Sequence, residues 1–168
     1  QPGNEPGGGE TTAQVATYLY KNIPLLDCDP AVEFSDGIIT LNNIYETLLY
    51  YDIETDTLEP RLATEYSHSD DGLVWTFKIR EGVKFHDGTD FTADDVVYSL
   101  GLMQASSFTS NLFGCIDIEN TVADGDYKVI IKLQYPSASL LEALASYRGV
   151  MISKDSYESM GEEAYGHA

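Results

Sequence analysis

Two short runs combine imidazole with carboxylates: His68 with Asp70 and Asp71, and His86 with Asp87 and Asp90. These are ligand types for divalent ions, so each run is a conceivable metal centre. Neither has the helical His-x-x-x-His spacing of a zinc hydrolase or the loop of an EF-hand. The pairs Asp71-Gly72, Asp87-Gly88 and Asp124-Gly125 are accounted for by turns, which select aspartate and glycine for their backbone geometry, so no metal site is assigned. The serine-rich run Ser106-Ser107-Phe108-Thr109-Ser110 lacks the Gly-x-Ser-x-Gly elbow that exposes a nucleophile, and no glycine motif that cradles phosphate occurs. Neither catalysis nor a cofactor is expected. Cys28 and Cys115 have no Cys-x-x-Cys spacing, and are either two free thiols or, in an oxidising compartment, a disulfide. A binding chemistry suggests itself at the loop Asp27 to Ser35, where Asp27, Asp29, Glu33 and Phe34 fall in an interval without a basic residue from Lys21 to Arg61. Carboxylates with an aromatic ring attract a cationic group such as a peptide amine; the plainer reading is a solvated acidic loop.

The chain that must position these groups has 168 residues and a formal charge of −19. That length suits one domain with its own core, and the charge opposes any grip on phosphate backbones, so nucleic acid is excluded as a partner. A hydrophobic content of 43% is too high for a disordered acidic tail. No apolar run is long enough to cross a membrane. The opening segment Gln1 to Glu10, rich in glycine and proline, reads as a flexible tether of the kind that follows a lipid anchor.

Periodicity supplies the elements. Ala13 to Tyr20 has the composition of a short strand, and Asn22 to Ser35 reads as a loop. Ile38, Leu41, Ile44, Tyr45, Leu48 and Leu49 form the stripe of an amphipathic helix. Leu73, Trp75, Phe77 and Ile79 alternate with Val74, Thr76, Lys78 and Arg80, which predicts a half-buried strand with Trp75 in the core. Thr92 is placed to cap a second helix that buries Val96, Val97, Leu100 and Met103, with Asp94 and Asp95 in its first turn. Asp124-Gly125 predicts a tight hairpin between runs around Val122 and Tyr127 to Leu133. A third helix is expected over Ser137 to Ser146, a strand at Val150 to Ile152, and a short helix over Lys154 to Gly161. The sum is an α+β fold, an antiparallel sheet partly covered by helices.

The blocks Ile44 to Asp52, Leu58 to Ala63, Asp70 to Arg80, Gly82 to Thr89 and Phe91 to Ser99, in that order, closely resemble family 5 extracellular solute-binding proteins, the dipeptide, oligopeptide and nickel receptors of ABC importers. The resemblance extends more weakly upstream to Asp29-Pro30 and downstream through Tyr127 to Pro136.

The resemblance implies a two-lobed receptor of the periplasmic-binding-protein type II fold. Residues 1–12 would be the tether, 13–43 the start of lobe I, and 44–168 a small α+β subdomain beside it. Its ligand would be a short peptide or other small solute, its partner the permease subunits of an ABC importer. Its location would be extracytoplasmic, as a periplasmic or cell-surface lipoprotein. Family members are several times longer, so an N-terminal fragment lacking the second lobe is expected. The groups that meet a peptide's amine and carboxylate come largely from that absent part. Carried over residue by residue, the ligand-binding positions in this chain are Phe34, Ser35 and Asp36, in the loop after Asp-Pro, and Phe108, after the second helix. Here Cys28 replaces the usual leucine and Phe108 the usual tyrosine. The alternative function is an acidic extracellular protein-interaction module that keeps the fold without transport.

Overall fold

Phe77, Ile79, Val129 and Ile131 are fully buried, and they come from two neighbouring strands that form the centre of a sheet. The computed structural model describes residues 29–31, 38–161 and 165; the expected strand at Ala13 to Tyr20, the tether and most of the loop Asn22 to Ser35 lie outside them. In chain order the elements are α1 (Ile38–Ile44), β1 (Leu49–Asp52), β2 (Thr57–Pro60), β3 (Ala63–His68), β4 (Val74–Ile79), α2 (Ala93–Ala105), α3 (Ser110–Phe113), β5 (Val122–Ala123), β6 (Lys128–Lys132), α4 (Leu140–Ala145) and α5 (Lys154–Met160). β3-β4-β6-β5 form a four-stranded antiparallel sheet, and β1 and β2 a separate hairpin. The architecture is α+β, as expected.

The alternation in β4 works as the sequence implies: Phe77 and Ile79 point into the core while Lys78 stands in solvent. α2 covers the core face of β5 and β6 with Val96, Leu100 and Met103. Its start is held by the aspartate three residues after the cap. Asp95 Oδ2 accepts from the Thr92 backbone N–H at 2.9 Å and the Thr92 hydroxyl at 3.0 Å. Asp95 Oδ1 accepts from the Lys154 backbone N–H at 3.0 Å, which ties the first turn of α2 to the first turn of α5. One turn on, the Ser99 hydroxyl donates to the Asp95 carbonyl at 2.7 Å and accepts from Ile152 N–H at 3.0 Å.

Four expectations are corrected. The stripe from Ile38 to Leu49 is not one helix: α1 ends at Ile44, and Leu48 and Leu49 are buried where the chain enters β1. The backbone at Glu46 and Thr47 is taken by another segment, since Met151 N–H donates to the Glu46 carbonyl at 2.8 Å and Thr47 bridges Val150. Among the described residues that bridge is also all that forms of the strand expected at Val150 to Ile152. Trp75 is half-buried rather than core: it faces the exposed His68 across the ladder, whereas Phe77 and Ile79 further along β4 are fully buried. The turn between β5 and β6 is wider than a two-residue hairpin: Ala123 pairs with Val129, and Asp124 N–H donates to the Lys128 carbonyl at 2.8 Å. Gly125 there has φ +75°, which a side chain rarely adopts.

Candidate functional site

Beyond its last turn, α2 runs into a tight corner, residues 106–109, that holds Phe108 at 40% exposure. The corner is built by hydroxyls. Ser106 Oγ accepts from Phe108 N–H at 3.2 Å and donates to the Ala31 carbonyl. The buried Thr109 turns its hydroxyl back to the Met103 carbonyl. The carbonyl of Ser106 accepts from Ser110 N–H at 2.9 Å, starting α3. Phe113 in α3 is fully buried and anchors the corner to the core. An aromatic ring left in solvent on so well-fixed a backbone is a pre-formed contact surface.

Beside it lies Arg148, in the short 3₁₀ turn Tyr147–Gly149 that follows α4. Arg148 Nη1 donates to the Phe108 carbonyl at 2.6 Å, and Nε donates to the Tyr147 hydroxyl at 2.7 Å. Its guanidinium also lies 5.2 Å from the centre of the Tyr147 ring. Gly149 makes this placement possible, because a Cβ there would lie 2.5 Å from the Ala143 carbonyl oxygen. Arg61, Lys78, Lys84 and Lys128 each pair with a carboxylate. Among the described residues Arg148 has no such ion pair, nor have Arg80, Lys132 and Lys154, but Arg148 alone of these is held there by side-chain hydrogen bonds. The guanidinium is therefore aimed and half-buried, with its charge uncompensated by that part of the chain.

Of the residues expected to meet ligand, Phe108 is found at this corner, while Phe34, Ser35 and Asp36 lie outside the described residues. The segment just before them reaches the same place, since Ala31 is bonded to Ser106. Asp29 is not part of an anionic rim. It is fully buried, with Oδ1 accepting from Ala31 N–H at 2.8 Å and Oδ2 from the Tyr157 hydroxyl at 2.9 Å. Its carboxylate fastens the entering chain to α5. Asp27, Glu33 and Cys28 lie outside the described residues; Cys115 is buried. Arg148 was missed because nothing in Ser-Tyr-Arg-Gly sets it apart until the fold brings it to Phe108.

The two histidine–aspartate runs are turns in which Asp71 and Asp87 are occupied by backbone N–H groups and hydroxyls and Asp90 by Lys84. Asp71 Oδ1 accepts from the Ser69 hydroxyl at 2.5 Å and Leu73 N–H at 3.0 Å, and the serine bond foremost lowers its pKa. Asp87 accepts from the Ser156 hydroxyl at 2.5 Å and from the hydroxyl and N–H of Thr89 at 2.6 and 2.8 Å. Those bonds, Ser156's first, bring Asp87 down to about 2. A concavity of about 610 Å³ opens beside this turn, lined by Tyr45, Arg61, Phe85, His86, Met160 and Tyr165 among others. It shares no lining residue with the Phe108 corner. Arg61 and Lys84 at its rim are already paired with Glu46 at 3.1 Å and Asp90 at 2.7 Å. Phe108 and Arg148 both lie at the corner, away from this concavity.

Comparison with known proteins places this geometry in context. The profile of the bacterial extracellular solute-binding proteins, family 5 middle region, matches residues 57–165. The glutathione-binding protein GsiB of Shigella flexneri is 36% identical over 130 residues, covering 74% of this chain and 24% of GsiB. NikA from Brucella suis, solved in complex with Fe(III)-EDTA, superposes with a TM-score of 0.70 at 29% identity, over 77% of this chain and 26% of NikA. DppA from Helicobacter pylori, in complex with the peptide STSA, gives a TM-score of 0.68 at 28% identity, over 83% of this chain and 31% of DppA. The chain spans about a quarter of the length of the curated relatives it matches most fully.

Proposed function

Because the chain belongs to the family 5 bacterial extracellular solute-binding proteins, we propose that it is the opening part of a two-lobed receptor that captures short peptides outside the cytoplasm. The receptor hands them to the permease of an ABC importer. Residues 1–12 serve as tether to a lipid-anchored N-terminus, 13–43 open lobe I, and 44–168 form the small subdomain beside it. Ligand is enclosed between lobes, a mode that needs no nucleophile, metal or cofactor.

One observation carries the reading: Phe108, with its ring 40% exposed, and Arg148 meet at one corner, where the guanidinium is aimed by its bond to the Phe108 carbonyl. Arginine binds carboxylates through two parallel N–H bonds, and the edge of an aromatic ring packs the aliphatic part of a small ligand. Glutathione, EDTA and the peptide of the relatives' complexes all carry carboxylates, which supports a carboxylate-bearing solute here. In this reading Arg148 takes a ligand carboxylate, Phe108 the adjoining apolar portion, and Phe34, Ser35 and Asp36 close over the ligand from the loop that Asp29 and Ala31 fasten beside the corner. Asp36 would meet a cationic group such as the amine of a peptide.

Calorimetry on the protein made from its complete gene tests this, with glutathione, a dipeptide, a tripeptide and a nickel chelate as titrants. The expected result is saturable binding of at least one peptide, lost on amidation of its C-terminus. Binding of the chelate alone would overturn the peptide assignment, and equal affinity for free and amidated peptides would remove Arg148 from the site.

A further inference from the structure

At the side of the sheet away from β5, the edge strand β3 carries Tyr66, at 37% exposure, and His68, also in solvent. The ladder fixes which way its backbone points. Ser69 N–H donates to the Val74 carbonyl at 2.9 Å, so the hydrogen-bonded pairs are Ser69–Val74, Ser67–Thr76 and Glu65–Lys78. Tyr66–Phe77 and His68–Trp75 are then the non-hydrogen-bonded pairs, in which side chains approach most closely. The rings show it: Tyr66 and Phe77 are 5.7 Å apart, His68 and Trp75 4.8 Å, Tyr66 and Trp75 6.4 Å. It follows that the N–H and C=O groups of Tyr66 and His68 point away from β4, to an edge on which no described strand pairs.

The chain around β3 is rich in carboxylates: from Asp52 to Arg80 the sequence holds Asp52, Glu54, Asp56, Glu59, Glu65, Asp70 and Asp71 against Arg61, which is spent on Glu46 at 3.1 Å, and Lys78 and Arg80 at the end of β4. Glu65 meets Lys78 from β4 at 3.5 Å, while Asp70 at the end of β3 is exposed. A second copy of the chain, itself at −19, is repelled from such an edge.

We infer that β3 is a docking edge for an extended basic segment of a partner protein, separate from the solute site at Phe108. The segment adds as a strand to the outward backbone groups of Tyr66 and His68. Alternate lysine or arginine side chains then lie over the Tyr66, His68 and Trp75 rings, where a cation is attracted by the π face, within reach of Asp70. The occupant is defined by its charge and its extended form, which are the complements of the strand.

Trp75 is the only tryptophan in these 168 residues, so in a sample of this chain its emission reports occupancy of this edge. The probe is a short peptide alternating lysine and valine, acetylated and amidated so that it offers no carboxylate to Arg148; the control alternates glutamate and valine. The lysine peptide is expected to shift Trp75 emission saturably to the blue, less so at high salt, and the control to leave it unchanged. His68→Pro removes an outward N–H without touching the ladder to β4 and is expected to abolish the shift while the thermal midpoint is kept. Asp70→Lys, at an exposed position, is expected to weaken the lysine peptide. No shift, an equal shift with both peptides, or full binding by a folded His68→Pro variant would each overturn the inference. So would concentration-dependent dimerisation that alters Trp75 emission without peptide, which would make a second copy the occupant.

Discussion

The two ends of α2 are built from similar residues and are used in opposite ways. At the start of the helix the buried polar groups are consumed: Asp95 takes three bonds, from the N–H and hydroxyl of Thr92 and the N–H of Lys154, while Ser99 one turn on takes the backbone of Ile152. Beyond the last turn, serine and threonine hydroxyls fix the backbone with equal care, yet the side chains they present, Phe108 and Arg148, are left open to solvent or short of a carboxylate. Polar groups that satisfy one another hold a fold together. A fixed backbone carrying a partly exposed ring beside a cation that meets no carboxylate among the described residues suits something that arrives later.

Substitution at the two ends should therefore separate stability from binding. Asp95→Ala strands three donors and should cost about 2–4 kcal/mol in urea unfolding, with solute affinity of the folded fraction unchanged. An unaltered unfolding midpoint would show that the first turn is not held as described. Gly149→Ala should cost about 1–3 kcal/mol through overlap with the Ala143 carbonyl, and here binding should weaken too, because Arg148 is displaced along with its turn. Phe108→Ala should leave stability within about 0.5 kcal/mol and weaken solute binding roughly fivefold. The smallest effect concerns the turn that leads into α2. Asp87 is held at about 2, below its ordinary 3.8, so its bonds to Ser156 and Thr89 contribute stability above pH 3.8 that is lost as the pH falls toward 2. Ser156→Ala should lower the neutral thermal midpoint slightly and leave the midpoint near pH 2 unmoved, so that the acid-side loss in a pH series shrinks.

The sequence displayed the first end of α2 far better than the second. Thr92, Asp94 and Asp95 before an apolar stripe are a local signal, as is the alternation from Trp75 to Ile79, because short-range geometry decides both. β1, β2 and β3 were invisible for a different reason. β3 is an edge strand exposed over most of its length, so no period of two survives in Ala63 to His68, and Leu48 and Leu49 fall at a spacing that a helix would also show. Their separation from α1 is imposed by Val150 and Met151, about a hundred residues downstream, which local pattern cannot contain. Arg148 was hidden in the same way, since its partner Phe108 is forty positions away in sequence and next to it in space. Asp29 was visible as a carboxylate but not as a buried one, because Tyr157, which receives it, is more distant still.

Arg148→Ala, measured by calorimetry against a carboxylate-bearing peptide in the protein made from its complete gene, bears most directly on the solute site. Affinity should fall by about ten- to a hundredfold, the range expected for one lost charge-assisted bond, with the thermal midpoint nearly constant. A variant that binds as tightly as the parent would show that the open guanidinium beside Phe108 is not where the solute is held.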